Sequence, residues 1–178
     1  LRWLADSGQF DAVLSGADTR LVSGRYPRPP NGPVYRNGAI DTEGNGRSAQ
    51  RGTVAVLTDR SIVMGRAHGA SARELNDRFG RSGAGLHSAL GGGALLLEHG
   101  RFVDHLDLMM VQLFDDGRGG LNALTMQRGV HTIMGIRQGR AYAAWCNGRS
   151  AIEIRRDFRA AGFSTLIKFA HGSSVCLL

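Results

Sequence analysis

The sequence predicts an α+β domain with a mixed or antiparallel β-sheet core and two or three inserted helices. Glycine accounts for 26 of the 178 residues, about double the usual share of roughly 7%, and this indicates many turns and therefore many short strands. Strand-like apolar stretches also outnumber those that follow the 3.6-residue period of a helix. A chain of this length suits a single domain, residues 1–178, that can bury a hydrophobic core.

The first third of the chain predicts a strand, a long loop and a hairpin. Residues 12–15 follow a short helix or turn and resemble a strand. Residues 25–48 contain all four prolines, a composition that argues against any regular element, and we expect a long loop that acts as a lid. Residues 51–67 then alternate as the two arms of a hairpin, whose turn is Thr58–Arg60.

The middle of the chain predicts two helices around a glycine-rich strand region. Ser71 and Glu74 form the pattern of a capping box, and Gly80 follows the end of that short helix. The run Gly91–Gly93 predicts either a strand pair or one strand with a sharp bend, and His99-Gly100 is a turn signal. A second helix is predicted from one apolar face, formed by Leu106, Met109, Met110 and Leu113.

The last third predicts a hairpin, a helix and a strand. Gln138-Gly139 marks the turn of the hairpin, and Gly162 is the stop signal of the helix that follows. Thr165–Phe169 is the next strand, after which His171–Ser174 would form a turn. Because this turn combines an imidazole, a glycine and two hydroxyls, it is either an ordinary turn or one wall of a site.

The charge of +7 is carried almost entirely by arginine, since Lys168 is the only lysine. A GC-rich genome or the bidentate binding of phosphate and carboxylate would both explain this excess. The basic residues are scattered, and no nucleic-acid-binding motif accompanies them, so no nucleic-acid partner is expected. No apolar run reaches the roughly 18 residues of a membrane-spanning helix, and no charged-then-apolar leader opens the chain.

The cysteines and histidines form no recognisable metal pattern, and the cofactor is unknown. Cys146 and Cys176 are compatible with one disulfide or with two buried thiols. The oligomeric state is not predicted by any feature of the sequence.

Four stretches could carry chemistry, each beside a purely structural alternative. The glycine run Gly91–Gly93 is either a bend or a site lining. Arg128, His131 and Thr132 at a strand entrance could grip a phosphoryl or sugar oxygen. Backbone amides near Gly172, with the hydroxyls of the closing turn, could cradle an anion. The remaining candidates are the acids of the long loop, Asp41 and Glu43 with Asp18 upstream, because glycosyl transfer uses two carboxylates.

In this order the stretches resemble the phosphodiester glycosidase family, the catalytic domain type of the enzyme that uncovers mannose 6-phosphate, which also occurs in bacterial proteins linked to exopolysaccharides. The resemblance runs along nearly the whole chain. It is carried by AVLSGADTR, RGTVAVLTDRSIVMGR, ALGGGALLLEHGR, RGVHTIMGIRQGRAY and DFRAAGFSTLIKFAHGSS.

The resemblance implies a glycoside hydrolase that removes a sugar from a phosphodiester or related glycan linkage, secreted or periplasmic. It implies that Arg128, His131 and Thr132 face the active site, together with Gly172, Ser173 and Ser174. From their residue types we add Lys168, Gly91, Gly92, Gly93 and Asp41 as candidate substrate-binding residues. We expect His131 and His171 to titrate during the reaction, with Ser173 and Ser174 positioning oxygens.

One departure from the family pattern bears on catalysis. Where the pattern has aspartate followed by glycine, this sequence has Ala170 followed by His171, and alanine cannot transfer a proton. The chain is therefore an inactivated enzyme, an enzyme in which His171 has taken over the acid/base role, or a carbohydrate-binding module without turnover. A general anion-binding or nucleic-acid-binding protein is a further alternative.

Overall fold

The computed structural model describes residues 34–42, 52–67, 71–104 and 128–171. These contain nine strands and two helices in one antiparallel arrangement, as the α+β prediction requires. The predicted strand at 12–15 and the predicted helix around 106–113 lie outside the described residues. The elements are β1 Val34–Arg36, β2 Ala39–Thr42, β3 Gly52–Leu57, β4 Ile62–Arg66, α1 Ala72–Phe79, β5 Leu86–Glu98, β6 Arg101–Phe102, β7 Gly129–Arg137, β8 Arg140–Arg149, α2 Ala151–Ala160 and β9 Thr165–His171.

Strand β5 is the centre of the sheet because it pairs with four other strands. The path across the sheet is β2-β1-β5-β9-β7-β8, and β3 joins it through β5 and carries β4. The first part of β5 pairs with β1 and β3, whereas Ala94–Leu97 pair with β9. This long strand therefore connects the N-terminal and C-terminal halves of the fold.

Three apolar clusters follow one another through the molecule. One lies between α1 and strands β1, β3 and β5, and another lies between α2 and strands β5, β7 and β9. A third joins the inner faces of the two halves and includes Val54 of β3 and Ile167 of β9. Because alternate residues of a strand point to opposite faces, Leu166 packs toward α2 while its neighbour Ile167 packs between the sheet halves. The helices thus cover the outside of a sheet that is folded upon itself.

Both helices begin with a capping box. The backbone N–H of Glu74 donates to the hydroxyl of Ser71, and the carboxylate of Glu74 accepts from the backbone N–H of Ser71. Ser150 and Glu153 repeat this exchange at the start of α2. The predicted cap at Ser71 is confirmed, and Gly162 follows α2 with a φ of +85°, a value that favours glycine.

The predicted turns at His99-Gly100 and Gln138-Gly139 are confirmed. Both residues of each turn have positive φ, the geometry that matches the twist of a two-residue hairpin. Asn37-Gly38 forms a third turn of this kind, between β1 and β2. The expectation that residues 25–48 exclude any regular element is therefore wrong for 34–42, where an Asn-Gly hairpin has formed beyond the prolines.

The structure decides between two alternatives at β5 and corrects one expectation at β9. Of the two structures predicted for the glycine run, the single strand is found and the strand pair is wrong, since β5 continues through the run from Leu86 to Glu98. The register of β5 against β3 shifts there, because Thr53 faces Gly91 while Gly52 faces Gly93. Strand β9 does not stop at Phe169 either: pairing with β7 extends it to His171.

Candidate functional site

The end of β9 lies beside the start of β7, which brings two of the predicted site stretches together. In the backbone register His131 faces His171 and Thr132 faces Ala170. A register shift follows, so that Ile133 faces Lys168. Such a bulge bends and twists a strand locally, and bulges are common beside functional sites.

His131 is held by the residue that precedes the cap of α2. Its side chain is completely buried, and Nε2 lies 2.8 Å from the carbonyl oxygen of Arg149. Because a carbonyl oxygen only accepts, Nε2 must carry the proton in this contact. In the neutral ring Nδ1 is then the nitrogen with the lone pair, and any proton that the ring takes up is bound there.

Arg128 forms an ion pair with Glu153 at the first turn of α2. The side chain of Arg128 is 68% exposed, whereas that of Glu153 is 18% exposed. The hydrogen bond from the Ser150 backbone lowers the pKa of the Glu153 carboxyl, and the charge of Arg128 lowers it further. Glu153 is therefore ionised at neutral pH, and its lone pairs are used by the cap and by Arg128, so it is unsuited to act as a general acid.

An exposed aromatic residue lies next to Thr132. Trp145 of β8 faces Thr132 across the β7–β8 pair, and its side chain is 48% exposed. Directly opposed residues of antiparallel strands project to the same face of the sheet. Thr132, which is partly buried, thus has an indole beside it and the backbone of Ala170 on the opposite flank.

Lys168 is buried rather than placed at the surface, with 6% of it exposed. It faces Ile133, whose side chain belongs to the apolar cluster beneath α2. A direct contact between Lys168 and a ligand would therefore require a ligand group that reaches below the surface of the sheet.

The close approach of β9 explains the glycine run of β5. A Cβ on Gly93 would lie 2.3 Å from Cγ2 of Ile167 and 3.1 Å from the carbonyl oxygen of Lys168. A Cβ on Gly52, which faces Gly93, would meet the same isoleucine side chain. The structural reading of Gly93, as a point where two strands pack closely, is thus supported by these contacts.

The other predicted site residues that the structure describes lie on β2 and β5. Asp41 belongs to β2, and strands β1, β5 and β9 lie between β2 and β7 in the sheet order. Gly91 and Gly92 lie on β5, with Gly91 facing Thr53 of β3. Gly172, Ser173 and Ser174 lie outside the described residues, as does Cys176.

Sequence reasoning missed Glu153, Trp145 and the carbonyl of Arg149. The pattern Ser150-x-x-Glu153 before an apolar run was a readable signal for Glu153. No comparable signal marked Trp145, because its position depends on the pairing of β7 with β8. Within the described ranges, no group of three or more histidine, cysteine, aspartate or glutamate side chains could hold a metal ion, and no helix is long and apolar enough to cross a membrane.

Comparison with known proteins supports a distant relationship of fold. No family model and no curated protein matches the sequence. A solved structure that does match is the zebrafish N-acetylglucosamine-1-phosphodiester alpha-N-acetylglucosaminidase catalytic domain, auto-inhibited by its pro-peptide, with a TM-score of 0.59 and 12% sequence identity. The match covers 89% of this chain and 50% of the solved one, so the chain spans about half the length of that protein. At this identity the likeness shows that the two proteins share a fold.

Proposed function

We propose that this domain binds a sugar phosphodiester or a related glycan at the β7–β9 end of the sheet and hydrolyses the glycosidic linkage there. The proposal rests on the shared fold and on the fact that two predicted site segments lie side by side in it. The chain has the fold of a solved glycosidase catalytic domain, and the segments around Thr132 and Ala170, which resemble the family pattern most specifically, face each other in adjacent strands. A secreted or periplasmic location belongs to the same proposal.

The chemistry needs an acid for the leaving oxygen and an activated water for the anomeric carbon. We assign these roles to His131 and His171, whose imidazoles can change protonation near neutral pH. Since Nε2 of His131 donates to Arg149, proton exchange at this ring takes place at Nδ1. Ser173 and Ser174 would orient substrate oxygens. Glu153 takes no part in proton transfer because its carboxylate is committed to the cap and to Arg128.

We assign the contacts with the sugar itself to Thr132 and Trp145, which project to the face of the β7–β8 pair opposite to that of the His131 ring. A substrate that also reaches His131 must therefore lie across the ends of these strands. A hydroxyl beside an exposed indole suits a saccharide, because a sugar ring has apolar C–H faces that pack on an aromatic surface and hydroxyls at its edge. Arg128 is exposed enough to reach a phosphoryl oxygen while its other donors hold Glu153. Lys168 belongs to the same proposal as a contact for a substrate group that reaches below the surface of the sheet.

Glycan binding without turnover is a second candidate, and Ala170 favours it. The position opposite Thr132 has no side chain that could transfer a proton. If an aspartate there is required, its absence lowers the rate by several orders of magnitude while leaving the sugar contacts of Thr132 and Trp145 in place.

Sugar release distinguishes the two candidates. The assay compares this chain with Ala170→Asp on a panel of glycosyl phosphodiesters and polysaccharides, with binding measured in parallel. Turnover by both proteins supports catalysis by the histidines. Turnover by Ala170→Asp alone identifies this chain as a silenced enzyme, and binding without turnover by either assigns the binding function. The absence of both binding and turnover across the whole panel would refute the proposal.

A further inference from the structure

Two arginines of α2 are fixed against one exposed phenylalanine, away from the β7–β9 site. The guanidinium carbon of Arg155 lies 4.9 Å from the ring centroid of Phe102, and that of Arg159 lies 4.7 Å from the same centroid. Phe102 is 40% exposed. The two arginines are four positions apart on the helix and hence neighbours on its surface.

Each guanidinium is also anchored to the backbone of the β5–β6 hairpin. Nη1 of Arg155 donates to the carbonyl oxygen of Val103 at 3.0 Å, and Nε of Arg159 donates to that of Gly100 at 3.1 Å. A guanidinium has five N–H donors in a rigid fork. One anchor per group therefore fixes its orientation and leaves further donors for a ligand or for water.

Among the described residues, no ion pair neutralises these two positive charges. Within the part of the chain that the structure describes, neither Arg155 nor Arg159 has a carboxylate oxygen within 4.0 Å. Burial lowers the pKa of the Arg155 guanidinium, and the negative charge of Asp104 partly offsets this lowering. Like charges four residues apart destabilise a helix, so the packing holds together two groups that repel each other.

A surface depression of about 450 Å³ adjoins this arrangement and includes Phe102 in its wall. Glu98, an acid in the same wall, is engaged by two other arginines: it accepts from the backbone N–H of Arg66 at 3.2 Å, and Nη2 of Arg78 lies 3.6 Å away. The neighbourhood therefore remains positive for a group that approaches Phe102. The described residues that line the depression are Arg66, Glu98, His99, Arg101, Phe102, Val103 and Asp104.

We propose that Arg155, Arg159 and Phe102 form an oxyanion-binding subsite that takes the carboxylate or phosphate group of an acidic saccharide. Preoriented guanidinium forks bind planar or tetrahedral oxyanions bidentately. The exposed edge of Phe102 gives the adjoining sugar ring an apolar contact, which free phosphate would not use. The saccharide nature of the ligand rests on the proposed function, whereas the oxyanion rests on the geometry of the arginines alone.

The test titrates the full chain with a galacturonate hexamer, glucose 6-phosphate, inorganic phosphate, a neutral glucose hexamer and a single-stranded oligonucleotide. Arg155→Gln and Arg159→Gln are compared with Arg156→Gln. This control removes the same charge from the same helix, at a side chain 69% exposed and next to Asp157. We expect each of the first two to weaken binding of an acidic sugar about tenfold or more, the loss of one charge-assisted hydrogen bond, and the control to change it less than about twofold.

A variant in which Arg155 and Arg159 both become lysine separates the effect of guanidinium geometry on binding from the effect of positive charge. It keeps the net charge, and we expect it to lose affinity as well, since an ammonium cannot hold a backbone carbonyl and bind an oxyanion in one plane. Comparison of glucose 6-phosphate with the galacturonate hexamer identifies phosphate or carboxylate as the preferred group.

Three results would overturn the subsite: equal loss in Arg156→Gln, equal binding of the neutral hexamer, or tighter binding of the oligonucleotide with the same arginine dependence. Binding of inorganic phosphate as tight as that of glucose 6-phosphate would refute the saccharide assignment. Failure here is distinguishable from failure of the proposed function, because the sugar-release assay varies residue 170 of the β7–β9 site and leaves the arginines of α2 unchanged. Arginine-dependent binding of acidic sugars without any turnover would leave the subsite standing.

Discussion

The imidazole of His131 in β7 donates its Nε2–H to the carbonyl oxygen of Arg149, 2.8 Å away, at the last residue of β8. Ser150, the next residue, is the cap of α2. One hydrogen bond thus connects the proposed site to the point where the β7–β8 hairpin leads into the helix. The orientation of the ring is therefore coupled to the start of α2.

Replacing His131 by alanine should destabilise the fold by about 2–4 kcal/mol. The substitution leaves a cavity where a completely buried ring was, and it leaves the carbonyl of Arg149 without this donor. Urea denaturation followed by circular dichroism measures the effect. His99→Asn is the matched control, because His99 is exposed at a turn with positive φ that asparagine tolerates; a loss in His131→Ala no larger than in this control would contradict the account.

The Ser150 cap should contribute about 1 kcal/mol to stability. In Ser150→Ala the backbone N–H of Glu153 loses the hydroxyl that accepts from it. The same readout applies, with Ser71→Ala as the equivalent change at α1. If the amide resonance of His131 shifts in Ser150→Ala but not in Ser71→Ala, the coupling between cap and site is demonstrated; identical spectra at β7 in the two variants would argue against it.

Glu153 should make stability depend on pH in acid. Its pKa is lowered in the fold by the Ser150 backbone hydrogen bond and then by Arg128. Its stabilising effect is therefore present above the unfolded pKa of about 4.3 and is lost as the pH falls through the folded pKa. The free energy of unfolding should thus differ between the native chain and Glu153→Gln at pH 7 more than at pH 3. Asp77→Asn, in an exposed pair with Arg73, should show little difference at either pH.

Gly93→Ala should destabilise the protein by about 2 kcal/mol or more. The new Cβ would come within 2.3 Å of Ile167 and within 3.1 Å of a backbone oxygen, so β5 and β9 would have to separate. Gly85→Ala is the control, since its Cβ would meet nothing closer than an atom of Asn76 at 3.6 Å. Thermal unfolding compares the two, and equal melting temperatures would show that the packing of Gly93 is not limiting.

Trp145→Ala should weaken glycan binding about tenfold, the loss of one aromatic contact of about 1.4 kcal/mol. The fold should persist, because nearly half of this side chain is exposed. Tyr142→Leu removes another exposed aromatic from the same strand, where Tyr142 packs edge-on against Phe163. Calorimetric titration with the ligand found in the sugar panel makes the comparison. Equal weakening in both variants would mean that neither ring marks the site.

Local signals in the sequence predicted the parts of the fold that are decided locally. The cap at Ser71 and the turns at His99-Gly100 and Gln138-Gly139 depend on a few adjacent residues, and all are found in the structure. The hairpin at Asn37-Gly38 carried the same kind of signal, but the prolines preceding it dominated the interpretation of its surroundings.

The structural features that were predicted wrongly or not predicted at all depend on contacts between residues that are distant in sequence. The role of the glycine run stayed open between a bend and a site lining, because the approach of Ile167, which requires glycine at position 93, cannot be inferred from the sequence of β5 itself. Similarly, β9 extends to His171 because β7 supplies partners for its backbone. The exposed indole of Trp145 is recognisable as a candidate sugar contact only from the register that places it opposite Thr132.

Mapping of ligand binding on the backbone amides tests directly whether the ligand binds at the β7–β9 end of the sheet. The ¹H–¹⁵N spectrum of the chain is recorded while a glycosyl phosphodiester is added to the native protein and to Ala170→Asp. We expect concentration-dependent shifts centred on His131, Thr132, Trp145 and Ala170, the residues that the β7–β8 and β7–β9 registers bring together. Shifts confined to other parts of the fold, with these four amides unchanged at saturation, would contradict this expectation.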